Sequence, residues 1–238
     1  MHTSTEWLAV PTESREDVDV IVRGAPAPDI SPLIQKRHNP VWKRGLDICG
    51  AVVIAPLLAP LLLAVAFYIR LVSSGPVLFV QSRVGHGGEL FRIYKFRTMH
   101  VSEVSRDQIH RDFVASYTGD DGAMKKPNYQ HALIPGGDLL RKFSIDELPQ
   151  LLNVIQGNMS LVGPRPDVLQ LEDYEPQQLR RFEVQPGMTG LWQVSGKNRL
   201  SFDQMVELDL KYIDTRSLTK DLMIIARTVL VLQFERNE

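Results

Sequence analysis

The run Arg141-Lys142-Phe143-Ser144-Ile145-Asp146-Glu147-Leu148-Pro149-Gln150 sets two adjacent carboxylates just after two cations. Arg165 follows, held between Pro164 and Pro166, where a rigid backbone can aim it at little entropic cost. An adjacent Asp-Glu pair is most often a solvated surface feature, but the surrounding cations point to chemistry. Guanidinium forks match phosphate oxygens in a bidentate way. Carboxylate oxygens suit Mg²⁺. A carboxylate can also attack phosphorus directly and carry it as an acyl phosphate. Two like charges side by side raise one of the two pKa values unless a cation or a metal offsets them.

Other chemistries find little support. The six histidines stand at positions 2, 38, 86, 100, 110 and 131, with no pair at helical ligand spacing. The one cysteine, Cys49, excludes a disulfide framework and a cysteine-rich zinc site. No serine lies in a G-x-S-x-G elbow. The 238 residues carry a formal net charge of −1, which argues against general nucleic-acid binding.

That total hides an uneven distribution. Residues 1–35 hold two basic and six acidic groups, residues 36–100 nine and two, and residues 101–238 sixteen and twenty. The basic block surrounds an apolar run, Ile48–Ile69, of 22 residues without a charge. A straight helix of that length reaches ~33 Å, enough to cross a bilayer core. Pro56 and Pro60 interrupt it, and basic residues flank both sides: Lys36, Arg37, Lys43 and Arg44 before, then Arg70, Arg83, Arg92, Lys95 and Arg97 after. Basic flanks favour the cytoplasmic side. A helix that enters, bends at Pro60 and returns keeps both clusters there, against anionic headgroups. The alternatives are a kinked spanning helix and a buried core helix.

The remaining elements must position the carboxylates. Residues 1–40 read as a flexible tail, 41–72 as a re-entrant helix-break-helix, and 73–238 as a membrane-associated catalytic domain. Residues 77–96 read as a β-hairpin turning at Gly85, Gly87 and Gly88; no helix follows these glycines, so they are no nucleotide fingerprint. Residues 101–137 read as a helix and then a loop, 138–156 as a helix interrupted by Pro149 with Ser144 as a candidate N-cap, and 167–182 as a polar helix. Gly187–Gly196 reads as a loop. Ser201 caps a helix over 201–214. A last apolar helix, Leu222–Phe234, is too short to span; interfacial and core placement fit it equally. The fold class is α+β, mainly helical, with a small hairpin.

The sequence resembles the bacterial sugar transferase family, the polyprenyl-phosphate hexose-1-phosphate (monotopic phosphoglycosyl) transferases. The matching runs are Lys43-Arg44-Gly45-Leu46-Asp47, Ser74-Gly75-Pro76-Val77-Leu78-Phe79, Tyr94-Lys95-Phe96-Arg97-Thr98-Met99, the run from Arg141 to Leu151, Met159–Pro166, Pro186–Gly196 and Glu207–Tyr212, in family order. The resemblance implies a re-entrant helix breaking at Pro60. It implies transfer of a sugar 1-phosphate from a UDP-sugar to polyprenyl (undecaprenyl) phosphate, with Mg²⁺ as cofactor, UMP released and Asp146 as nucleophile beside Glu147. Both carboxylates are the expected metal ligands, and Arg141, Arg165, Lys95 and Arg97 the expected phosphate contacts. The place is the cytoplasmic face of the bacterial inner membrane, in assembly of an exopolysaccharide, capsule, O-antigen or related glycan. Neither the sugar nor the oligomeric state follows, and a homo-oligomer is compatible. Three departures stand out: Ala59 where the family often has Ser, the extra Pro56, and Ala132 and Ile134 where Arg and Thr are usual. The competing reading is a catalytically silent, membrane-anchored scaffold; retention of Asp146, Glu147 and Arg165 speaks against it.

Overall fold

A computed structural model of the chain describes residues 33–100, 129–196 and 199–234. The long apolar run becomes helix α1, Val41–Val72, 32 residues or ~48 Å. The backbone stays helical through Pro56 and Pro60, so the expected helix-break-helix is not an interruption of secondary structure. The reason lies in where the prolines fall. Pro56, Pro60 and Val52, whose carbonyl loses the Pro56 partner, all lie on the exposed face, while Lys43, Asp47, Ala51, Val65 and Ile69 line the buried one. The two missing hydrogen bonds are therefore stacked on one side, and a helix bends away from a proline, convex on that side.

Both ends do dock. Ala51, with Ile54 and Leu58, joins the main core cluster of Leu151, Val154, Leu161, Tyr212 and Ile224. Val65 and Ile69 join a separate cluster with Phe96, Ile134 and Leu140. The outer face keeps Leu57, Leu63 and Phe67 exposed at 75%, 71% and 66%. Contiguous apolar surface of this extent marks a lipid or partner contact.

The hairpin forms as expected: β1, Leu78–Val84, pairs antiparallel with β2, Leu90–Phe96, from Leu78 opposite Phe96 to Val84 opposite Leu90. Gly87 and Gly88 turn the chain with φ of 68° and 80°, a region where a side chain is strained. Residues 138–156 are not one helix. They form α2, Gly137–Lys142, a 3₁₀ segment, Ile145–Gln150, and α3, Leu151–Gln156. Pro149 cannot continue an α-helix begun at Ser144, because its ring would meet the carbonyl at Ile145. Ser144 accordingly makes no cap and sits instead at φ 53°. The expected helix over 167–182 is also absent. Short 3₁₀ turns at Leu171–Asp173 and Gln178–Glu183 flank Pro176.

Two three-residue strands, β3, Ser160–Val162, and β4, Gly187–Thr189, pair in parallel, the second where a loop was expected. Helix α4, Phe202–Thr215, carries the expected cap: Ser201 Oγ accepts from the Gln204 amide at 3.3 Å and Gln204 returns the bond at 3.0 Å. Helix α5, Leu218–Phe234, begins four residues before its expected start. Asp221 and Ile224 are buried, while Leu222, Met223, Val229 and Leu230 are exposed, so one face packs on the core and the other stays apolar and open. The expected helix and loop after residue 100 and the N-terminal tail lie, for 101–128 and 1–32, outside the described residues.

Two residues of the basic block, Lys43 and Arg44, turn inward and tie the helix to the protein. Lys43 is 3% exposed and its Nζ donates to Val162 O at 2.7 Å and Asp221 Oδ2 at 2.5 Å. Arg44 caps α3 by donating to Val154 O and Ile155 O at 2.6 and 2.7 Å. Asp47 accepts from Ser160 Oγ and Leu161 N, each at 2.8 Å. These polar ties fasten α1 to β3. Lys43→Met would strand the Asp221 carboxylate in the core and cost about 3–5 kcal/mol. Thermal unfolding should report that loss, and Lys43→Met/Asp221→Asn should recover most of it. Equal midpoints for wild type and Lys43→Met would refute the assignment.

Candidate active site

The 3₁₀ segment that carries Asp146 and Glu147 packs across β2. Asn153 on α3 locks that packing, accepting from Tyr94 N at 3.1 Å and donating to Arg92 O at 2.6 Å. Ile145 anchors the segment in the cluster around Val65 and Ile69, so the carboxylates lie beside the C-terminal half of α1.

Glu147 is the fixed member. Arg165 grips it with both Nη atoms: Nη1 donates to Oε2 at 2.9 Å, and Nη2 makes a close contact with Oε1. Lys95 Nζ adds a bond to Oε1 at 2.8 Å. Burial opposes the Glu147 charge, but Arg165 and then Lys95 outweigh it and hold the carboxyl well below its ordinary range. Burial also pulls Lys95 down, against Glu147. Because both Glu147 oxygens are occupied by cations, Asp146 is the carboxylate left open to a metal or a substrate.

Asp146 is 8% exposed, and its side chain makes no hydrogen bond among the described residues. Burial, then the Glu147 charge, pushes its pKa up to about 6, against the pull of Lys95, Arg141 and Arg165. Adjacent carboxylates thus have different environments, one tied to cations and one largely buried with no hydrogen-bond partner among the described residues.

The four expected phosphate contacts divide. Lys95 and Arg165 are at the site through Glu147. Arg141 is exposed, interacts electrostatically with Asp146 and forms no ion pair among the described residues. Arg97 makes no hydrogen bond or ion pair with Asp146 or Glu147 among the described residues. It is 4% exposed, and its Nη2 donates to Ser73 O at 3.0 Å, at the negative end of α1, where a cation is favoured. Ala132 and Ile134, which stand where Arg and Thr are usual, are core residues at 0% and 1% exposure.

Sequence reasoning missed the interior behind Arg165. Arg181 donates to Arg165 O, Asp209 Oδ2 and Tyr174 OH at 3.0, 2.8 and 3.1 Å and pairs closely with Asp167. Asp209 lies in the Glu207–Tyr212 run that carries part of the resemblance, but no spacing in the sequence links it to Arg165.

A family model described as "Bacterial sugar transferase" matches residues 38–235. The chain belongs to the bacterial sugar transferase family. This family member is 43% identical over 196 residues to a UDP-glucose:undecaprenyl-phosphate glucose-1-phosphate transferase of Caulobacter vibrioides, covering 79% of the chain and 68% of that protein. It is 38% identical over 189 residues to the exopolysaccharide production protein ExoY of Rhizobium meliloti, covering 79% and 83%. It is 41% identical over 199 residues to the galactosyl transferase CpsE of Streptococcus agalactiae, covering 83% of the chain but only 43% of CpsE. The chain therefore spans less than half the length of that relative.

The raised Asp146 pKa carries a stability cost. Between the ordinary 3.8 and about 6 the folded state holds a proton that the unfolded state has released, so stability falls as pH rises through that window. Above it, the cost is on the order of 2 to 3 kcal/mol. Asp146→Asn should unfold at a higher temperature than wild type at pH 8, with the gain shrinking toward pH 4. A lower midpoint for the variant at pH 8 would contradict the assignment.

Proposed function

We propose that this chain transfers a sugar 1-phosphate from a UDP-sugar to a polyprenyl phosphate such as undecaprenyl phosphate. We place the reaction at the cytoplasmic face of a bacterial inner membrane, as the opening step of exopolysaccharide, capsule, O-antigen or related glycan assembly. The observation that carries the reading is Asp146, buried and unpartnered among the described residues, with Lys95, Arg141 and Arg165 acting on it. The relatives support it: one is a UDP-glucose:undecaprenyl-phosphate glucose-1-phosphate transferase and another an exopolysaccharide production protein.

In this reading an Asp146 carboxylate oxygen attacks the phosphorus that bears the sugar. The new O–P bond forms as the bond from that phosphorus to the UMP oxygen breaks, and UMP leaves with the electron pair. Asp146 then holds the sugar phosphate as an acyl phosphate. An oxygen of the lipid phosphate attacks the same phosphorus, the bond to Asp146 breaks, and the carboxylate is restored. Poor solvation makes Asp146 a stronger nucleophile once ionised. Arg141, with no competing ion pair among the described residues, is the cation best placed to hold phosphate oxygens. Glu147 keeps Arg165 and Lys95 in place.

Mg²⁺ fits this donor set in a substrate-borne form. No cluster of three His, Cys, Asp or Glu ligands occurs among the described residues, and one open carboxylate, Asp146, would hold the ion alongside diphosphate oxygens and water. When bound, the ion neutralises charge gathering on the departing nucleotide.

Helix α1 supplies the setting. Its proline-bearing, exposed face lies in lipid, and its two docked ends stay with the domain on the cytoplasmic side. The exposed apolar face of α5 suits the same interface. The water-soluble donor and the lipid acceptor then meet beside the C-terminal half of α1.

A panel of UDP-sugars offered with undecaprenyl phosphate and Mg²⁺ should yield UMP from at least one donor with wild type and from none with Asp146→Asn. EDTA should abolish release and added Mg²⁺ restore it. Equal UMP release by wild type and Asp146→Asn would overturn the nucleophile, and undiminished release in EDTA would overturn the metal. For topology, His38→Cys and Arg83→Cys, each in a Cys49→Ala background, should both label from the cytoplasmic side; labelling from opposite sides would establish a spanning helix instead.

A further inference from the structure

The segment that presents Arg165 has almost no secondary structure of its own. Gly163 to Pro166 lies beyond β3, and two of its four residues are prolines without an N–H to donate. Its outer side is held by Gly163 N to Thr189 O at 2.9 Å and Gly187 N to Pro164 O at 2.8 Å. Those bonds tether the loop up to Pro164. They leave open what holds the backbone at Arg165 itself, whose side chain must stay still to grip Glu147.

The inner side answers this. Arg181 comes from the 3₁₀ segment Gln178–Glu183 and is 4% exposed. One nitrogen, Nη2, donates to Arg165 O at 3.0 Å and to Asp209 Oδ2 at 2.8 Å. The other, Nη1, pairs with Asp167 and donates to Tyr174 OH at 3.1 Å. The planar fork thus clamps the loop at Arg165 and two residues on, and Asp209 from α4 holds the fork. The Arg181 guanidinium also lies 5.5 Å and 6.0 Å from the Tyr174 and Phe182 ring centroids. Buried charge networks of this kind often add little net stability, which leaves room for a positioning role.

We infer that Arg181 is a positioning residue for the Asp146–Glu147 pair. It acts through a chain of contacts from Asp209 on α4 to Arg181, to the Arg165 backbone, and from the Arg165 guanidinium to Glu147. It touches neither substrate nor reacting atoms. The inference rests on the proposed function only for its kinetic consequence; the mechanical linkage stands on the contacts themselves. Lysine cannot replace it. An ammonium keeps the charge but has no planar fork to reach the Arg165 carbonyl, Asp209, Asp167 and Tyr174 together.

The test uses the full chain in lipid nanodiscs, with Arg181→Lys and the milder Tyr174→Phe, which removes one hydroxyl partner of Arg181 while keeping the ring. Amide hydrogen exchange should rise in Arg181→Lys over 163–169 and also over 145–150, to which Arg181 makes no hydrogen bond or ion pair among the described residues. Tyr174→Phe should do the same to a smaller extent, and it decides the matter should Arg181→Lys not fold. UMP release by Arg181→Lys should fall roughly 10-fold in kcat, with KM for the UDP-sugar little changed. Increased exchange confined to 163–169, or wild-type kcat despite increased exchange over 145–150, would overturn the inference. Exchange needs no substrate. If wild type releases no UMP from any donor, the proposed function falls, while exchange over 145–150 still decides the linkage.

Discussion

The bond of Arg165 and Lys95 to Glu147 is the constraint around which the rest of the molecule is arranged. A largely buried carboxylate, 17% accessible at its side chain, is held as an anion here by cations on both oxygens. Here Lys95 comes from the hairpin and Arg165 from the loop after β3, so two distant parts of the chain converge on one side chain. With Glu147 locked, its charge and the surrounding burial act on Asp146, which has no partner among the described residues. The asymmetry between two neighbouring carboxylates follows from that single arrangement.

The same economy recurs along α1. Its buried stripe carries Lys43 and Asp47, whose polar ties to β3 fix the strand that leads into the Arg165 loop. Its other end, through Val65 and Ile69, supports Ile145 beside the carboxylates. One helix therefore backs both walls of the site while presenting an apolar face outward. The prolines remove hydrogen bonds on that outer face only, and leave intact the contacts that hold the helix to the domain.

The basic residues between 36 and 100 show how composition can mislead about role. Read along the chain, they are a collar on either side of an apolar run. In three dimensions, Lys43 is an internal tie, Arg44 and Arg97 cap helix ends, and Lys95 is part of the site. Net charge in a window says nothing about direction, and a strand or a helix sends neighbouring charges to different places.

Local chemistry determined much of this protein by itself. The length of the apolar run, the glycine turn of the hairpin, the Ser201 cap and the Asp-Glu pair all follow from residue type and short spacing. The three-residue strands β3 and β4 do not, because they are too short for any periodic pattern, and the segment 138–156 was misread because the effect of Pro149 depends on the turn it interrupts. Sequence named Asp146, Glu147, Arg141, Arg165 and Lys95 as the site. Only the tertiary structure tied Arg97 to Ser73, gave the two carboxylates different environments and revealed Arg181 and Asp209 behind Arg165. Burial and cross-chain pairing decide these matters, and both depend on which distant segments meet.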